Sequence, residues 1–295
     1  MIRSTILALT LAGVAACSSK LPVVPPVTPT ETGTHHVGKF VWYDLVTHDV
    51  DAAERFYGQL FGWQFHDDDQ DRRYITIVHN GRPIGGLARV EREAATDNVA
   101  QWVSWLSVAD VDRATQQVEE AGGAVLRDPR EAPNRGRFAL VSDPQGALVA
   151  LLRSSTGDPP DLDDFAAHEW LWTELWTRDV AAAFAFYQTL ADYEREVTDA
   201  GLQRPYTLLM KGERARAGVA QLTWDDVRPH WIPYVKVDDP AAVASRVESL
   251  GGTLVFAPDP EVRKGSVAII QDPTGGVLAI QKWPYEEEEE GGADR

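Results

Sequence analysis

The sequence predicts an α+β protein made of two copies of one domain, each copy holding two strand–helix–strand–strand–strand (βαβββ) modules. Its 295 residues are about twice the length of a typical domain. Slid along itself by 130 positions, the chain lays Trp42–Tyr57 over Trp172–Tyr187 with nine of sixteen residues identical, and Asp44 falls opposite Glu174. Farther on the offset is 129, where Trp102 meets Trp231, Gly122-Gly123 meets Gly251-Gly252, and Asp143-Pro144-Gln145-Gly146 meets Asp272-Pro273-Thr274-Gly275. One small indel over so long a span marks a duplicated domain.

Each element follows from local chemistry. A first strand (40–46 and 170–176) ends at Asp49 or Asp179, whose carboxylate can cap the next helix. In the first copy that helix carries Ala52, Ala53, Phe56, Tyr57 and Leu60, spaced to lay one apolar face on a sheet. Short strands are expected near 73–79, 84–90, 206–210 and 217–222. A second strand–helix unit begins at Trp102 or Trp231, and its helix stops at the Gly-Gly pair, which suits a left-handed backbone. Asp-Pro-x-Gly then turns the chain into a last strand, 147–152 or 277–282.

Composition narrows the function. The chain is 44% hydrophobic and 25% charged, ordinary for a globular protein, and its net charge of −17 repels nucleic-acid phosphates. A single cysteine excludes an internal disulfide and Cys-clustered zinc or iron–sulfur sites. That cysteine follows a short basic start and an apolar stretch from Ile6 to Ala16, in Val14-Ala15-Ala16-Cys17, which resembles a bacterial lipobox. Residues 1–16 thus read as a lipoprotein signal peptide and Cys17 as the acylated residue. The mature protein is expected outside the cytoplasm in the bacterial cell envelope, at the outer membrane or cell surface, held by lipid. Residues 17–36, with Pro22, Pro25, Pro26 and Pro29, read as lipidated cysteine plus extended stalk. The expected divisions are then domain 1 over 37–155, a linker over 156–167, domain 2 over 168–284 and an acidic tail over 285–295.

The strand followed by Asp-x-x-x-Ala-x-x-Phe-Tyr, the Gly-Gly break and the Asp-Pro-x-Gly strand resemble the vicinal oxygen chelate superfamily over 38–155 and 168–284. That superfamily includes glyoxalase I, extradiol dioxygenases and bleomycin resistance proteins. The resemblance implies that each pair of modules curls into a cup. Metal-dependent members place a His at the start of each module's first strand and a Glu in the last strand. In this chain those positions hold Trp42, Val103 and Ala150 in domain 1, and Trp172, Ile232 and Ala279 in domain 2. None offers a donor atom suited to a metal, so no metal and no other cofactor is expected.

Strand alternation puts Trp42, Asp44, Val46, Val103, Trp105, Ser107 and Ala150 on one concave face. It puts Trp172, Glu174, Trp176, Ile232, Tyr234, Lys236, Ala279 and Gln281 on the other. Aromatic walls around an isolated carboxylate suit a pocket for a small aromatic or apolar molecule. The predicted ligand-binding residues are therefore Trp42, Asp44, Trp105, Ser107, Trp172, Glu174, Trp176, Tyr234, Lys236 and Gln281. Four alternatives stand beside this. Trp42 and Trp172 could simply fill the cups, or Glu174 and Lys236 could form an internal ion pair. Asp44 and Glu174 could instead be general bases of a metal-independent lyase, isomerase or hydrolase, since desolvation raises a carboxylate's proton affinity. The paired domains could also present a surface to a protein partner. Asp67–Asp71 lacks the Gly and distant Glu of a calcium loop, and there is no phosphate loop or Gly-x-Ser-x-Gly elbow.

Overall fold

The computed structural model describes residues 22–67, 71–91, 100–199, 201–202 and 204–284. Cys17, the middle of the Asp67–Asp71 run and the tail from 285 lie outside the described residues. Domain 1 runs β1 (Phe40–Thr47), α1 (Val50–Phe61), β2 (Gln64–His66), β3 (Tyr74–His79), β4 (Arg82–Arg89), then β5 (Gln101–Ser107), α2 (Val111–Glu120), β6 (Ala124–Ala132), β7 (Gly136–Ser142) and β8 (Leu148–Ser154). Domain 2 repeats it with β9 (Trp170–Thr177), α3 (Val180–Ala191), β10 (Glu194–Thr198), β11 (Tyr206–Lys211), β12 (Arg214–Gln221), β13 (His230–Lys236), α4 (Pro240–Val247), β14 (Thr253–Phe256), β15 (Val267–Gln271) and β16 (Val277–Gln281). The predicted fold class is thus observed, one βαβββ module after another.

Each module's helix starts on an aspartate. Asp49, Asp110, Asp179 and Asp239 accept from the backbone N–H three residues on, at 2.9 to 3.0 Å. The Gly-Gly pairs divide their labour. Gly122 and Gly251 take φ of +83° and +86°, the left-handed stop. Gly123 and Gly252 lie so close to the neighbouring strand that a Cβ would sit 2.5 Å from Ser142 O and 2.6 Å from Gln271 O.

Within a domain the two modules join through their first strands. The sheet orders are β2-β3-β4-β1-β5-β8-β7-β6 and β10-β11-β12-β9-β13-β16-β15-β14. The central pairs β1·β5 and β9·β13 are antiparallel, and each first strand also runs parallel to its own module's last strand. Alternation then sorts the side chains. Leu45, Trp102, Leu151, Leu175, Trp231 and Ile280 turn inward with the four helices into one core shared by both domains. The opposite faces form two smaller clusters, one holding Trp42 and Leu152, the other Ile232, Tyr234 and Ala279. These are the cups, and they face away from the shared core.

The shared core is pinned by a reciprocal pair of hydrogen-bond relays. Trp102 Nε1 donates to the Tyr57 hydroxyl at 3.0 Å, which donates to Asp272 Oδ2 at 2.8 Å. Trp231 Nε1 donates to Tyr187 at 2.8 Å, which donates to Asp143 Oδ2 at 3.3 Å. Each Asp-Pro-x-Gly turn therefore serves the helix of the other domain.

Candidate functional site

In cup 1 the register places Trp42 beside Trp105, Trp105 beside Ala150, and Asp44 beside Val103. Trp42 and Asp44 are buried. Asp44 Oδ1 accepts from Trp42 Nε1 at 2.8 Å and from the Tyr74 hydroxyl at 2.7 Å. Over them lies Arg135, only 1% exposed, its guanidinium carbon 4.1 Å from the Trp42 ring centroid. Burial pushes the Asp44 carboxyl above its ordinary range, although Arg135, Tyr74 and Trp42 pull the other way.

Cup 2 has the same plan with a different balance. Glu174 Oε2 accepts from the Tyr206 hydroxyl at 2.6 Å and Arg263 Nη2 at 2.7 Å, while Oε1 accepts from Trp176 Nε1 at 2.6 Å. Trp172 Nε1 donates to Tyr206 at 3.0 Å, and Arg263 Nη1 donates to Gln281 Oε1 at 3.4 Å. Burial raises the proton affinity of Glu174, but the Arg263 guanidinium with the Tyr206 and Trp176 donors outweighs it, so the carboxyl titrates below its ordinary range. The predicted rise in carboxylate proton affinity thus holds for Asp44 and reverses for Glu174. The reason is a direct guanidinium contact.

A glycine on the adjoining strand makes each Tyr–carboxylate contact possible. Gly86 lies beside Asp44 and Gly218 beside Glu174. A Cβ at Gly86 would fall 2.1 Å from the Tyr74 hydroxyl oxygen, and one at Gly218 only 1.6 Å from that of Tyr206.

The cups differ in what covers them. The segment read as a stalk is seated on domain 1. Arg135 Nε donates to Pro25 O at 2.7 Å, and Val27 packs against Trp42 and Leu152, only 4% exposed. Thr32 N bonds Thr156 O at 2.8 Å, and Asp158 N bonds Thr34 O at 2.7 Å. A cavity of about 890 Å³ lies between the N-terminal segment, the linker and cup 2. Trp172, Tyr206, Arg263 and Gln281 line it from cup 2, with Trp42 at its far side.

The other predicted ligand residues are distributed differently. Trp105 packs on Phe138 and under Arg135 in the covered cup. Trp176 stacks on Trp224 with ring centroids 5.1 Å apart, and Tyr234 lies beneath Arg263. Ser107 and Lys236, equivalent in the repeat, both hold the linker. Ser107 Oγ donates to Asp158 Oδ2 at 2.6 Å, while Lys236 Nζ donates to Phe165 O at 2.5 Å and Asp164 Oδ1 at 3.2 Å. The alternative of a Glu174–Lys236 pair is not formed, because Lys236 sits at the strand end beside the linker and Arg263 pairs with Glu174.

Sequence reasoning missed Arg135, Arg263, Tyr74 and Tyr206. Arg135 stands eight residues before Asp143 and Arg263 nine before Asp272, so the repeat alignment puts neither arginine opposite the other. Tyr74 and Tyr206 are separated by 132 positions, again off the main register. Allowing an indel in each hairpin would have paired both.

The superfamily metal does not fit these cups. Trp42, Val103, Ala150, Trp172, Ile232 and Ala279 supply no donor, and among the described residues no three His, Cys, Asp or Glu side chains gather to hold an ion.

Two cups of paired βαβββ modules make a tandem vicinal-oxygen-chelate fold. Residues 34–151 match the model of the Glyoxalase/Bleomycin resistance protein/Dioxygenase superfamily. It is 28% identical over 244 residues to "Putative glyoxylase CFP32" of Mycobacterium tuberculosis, covering 82% of this chain and 93% of the relative. It is 29% identical over 258 residues to "Anthracycline biosynthesis protein DauV" of Streptomyces sp. strain C5, covering 82% and 92%. In fold it is similar to the Mn(II)-bound glyoxalase of Novosphingobium aromaticivorans, with TM-score 0.57, 16% identity and coverage of 85% and 83%. A variant of homoprotocatechuate 2,3-dioxygenase from B. fuscum aligns with TM-score 0.58, 15% identity and coverage of 92% and 77%.

Proposed function

We propose that this chain is a lipid-tethered, extracytoplasmic binding protein for a small, partly aromatic or apolar molecule, taken up without a metal at cup 2. The observation that carries the reading is the cavity of about 890 Å³ whose lining includes Trp172, Tyr206, Arg263 and Gln281 of cup 2, together with charged residues such as Arg82, Asp161 and Arg214 toward the linker. That volume suits a small-molecule site, and indole and phenol faces favour planar rings. The DauV relative, named for anthracycline biosynthesis, supports a ligand with fused rings. Glu174 already accepts three hydrogen bonds and Asp44 is sealed under Arg135, so neither stands ready to take a substrate proton. The binding reading is therefore preferred to the metal-free enzyme.

Titration of intrinsic Trp fluorescence with a panel of aromatic metabolites and antibiotics tests the reading. A saturable response to at least one compound, reduced by Trp172→Ala, is expected. A flat response across the panel counts against it. For the tether, Cys17→Ser is expected to move the protein from the membrane fraction to the soluble one.

A further inference from the structure

We infer that cup 1 carries an internal ligand, and that this occupant reports the chemistry cup 2 takes from outside: a neutral apolar molecule presenting a carbonyl oxygen to Arg263 Nε. The inference rests on the reading of cup 2 as a binding site.

The two cups share one plan. Each has a carboxylate on its first strand, a Trp two residues before it, a Tyr from the neighbouring hairpin and a buried arginine from the second module. The Arg135 guanidinium lies 5.4 Å from the Trp105 centroid and 6.0 Å from that of Tyr74. Arg263 lies 5.5 Å and 5.4 Å from the equivalent Tyr234 and Tyr206. In cup 1 the occupant is the chain itself. Pro25 gives its carbonyl to Arg135 Nε at 2.7 Å, and Val27 supplies the apolar body against Trp42.

Among the described residues cup 2 has no such occupant. The stretch that precedes β9 in the repeat is the linker, and Asp158 holds it to domain 1 through Ser107 at 2.6 Å and Ser154 at 2.7 Å. Arg263 spends Nη1 on Gln281 and Nη2 on Glu174. Its Nε, the atom that serves Pro25 in the other cup, makes no hydrogen bond among the described residues. Arg263 is itself 5% exposed and lines the cavity. A polar side chain buried so deeply and facing open space is a point where a ligand acceptor belongs.

Charge decides the kind of acceptor. Glu174 lies 2.7 Å from Arg263 and already neutralises it. A carboxylate or phosphate entering there would meet the Glu174 charge in a poorly screened interior. A neutral carbonyl satisfies Nε without that repulsion, and a peptide carbonyl is what Arg135 holds beside Asp44.

The test is calorimetric titration of the full chain with 2-naphthamide and 2-naphthoate, which share one apolar body. The amide is expected to bind about tenfold or more tightly than the carboxylate, the scale of one hydrogen bond to a charged donor. Equal or tighter binding of the carboxylate overturns the inference. So does failure of both while other aromatics on the panel bind, which leaves the binding reading standing; failure of every compound removes both. As a second measurement, deleting residues 22–31 empties cup 1. The amide stoichiometry of the folded variant is expected to rise from one to two per chain, and a value unchanged at one overturns the internal-ligand assignment.

Discussion

The Tyr57 hydroxyl donates to Asp272 Oδ2 at 2.8 Å across the seam between the domains, 215 residues apart in sequence, and Trp102 Nε1 completes the relay at 3.0 Å. Tyr187 makes the reciprocal bond to Asp143. The two halves thus exchange hydrogen bonds as well as apolar surface, which argues for a single unfolding unit.

Tyr57→Phe leaves the Trp102 N–H and one Asp272 oxygen buried without their partner. Unfolding in urea is expected to show a loss of about 1–3 kcal/mol with one transition retained. No change in midpoint would show that the relay contributes nothing to stability.

The carboxylates of the two cups are expected to give pH dependences of opposite sign. Asp44 titrates above its ordinary range because of burial, so its contribution is present at low pH and is lost as pH rises through the folded value. Asp44→Asn should therefore flatten stability on the alkaline side of the usual aspartate range. Glu174 titrates below its ordinary range because Arg263 and two hydroxyl or indole donors overcome burial. Its contribution is present above the unfolded value and is lost as pH falls through the folded one, so Glu174→Gln should cost stability near neutrality and little in strong acid. Melting temperatures over a pH series would check both signs.

Gly218→Ala places a methyl group where the Tyr206 hydroxyl lies, since a Cβ there meets that oxygen at 1.6 Å. Tyr206 must move off Glu174, and a loss of about 1–3 kcal/mol in stability is expected together with weaker ligand binding. A variant of unchanged stability and affinity would contradict the assigned packing.

Val27→Asp puts a charge where an apolar side chain is now 4% exposed. The N-terminal segment should detach while the two-domain core stays folded, giving proteolysis near 22–34 faster by about tenfold or more. An unaltered cleavage rate would mean that Val27 does not hold the segment.

Elemental analysis of the purified protein should find far less than one transition metal per chain, and a chelator should leave ligand binding unchanged. Stoichiometric metal that a chelator removes, with ligand binding lost, would restore glyoxalase-type chemistry to consideration.

Much of the fold was legible in the residues because its determinants are local or repeated. Asp49 and Asp179 cap helices through neighbours three residues away, and Gly122 and Gly251 stop helices by their own backbone freedom. Alternation along β1 and β9 put Trp42 with Asp44 and Trp172 with Glu174. The site was less legible. Lys236 shares a strand face with Glu174, which left an ion pair between them open beside a ligand-binding role, whereas its position at a strand end gave it to the linker. Arg135 and Arg263 were hidden by a one-residue shift between the copies.

By itself the sequence determined the duplication, the four modules, the helix boundaries and the replacement of metal-donor positions by apolar side chains, since periodicity and short-range hydrogen bonding encode all of these. Only the tertiary structure decided that Pro25 and Val27 close one cup while the other stays open, and that Arg263 rather than Lys236 answers Glu174. Those contacts join groups 89 and 110 residues apart in the two arginine hydrogen bonds, and sheet closure and docking of the N-terminal segment set them, not the character of neighbouring residues.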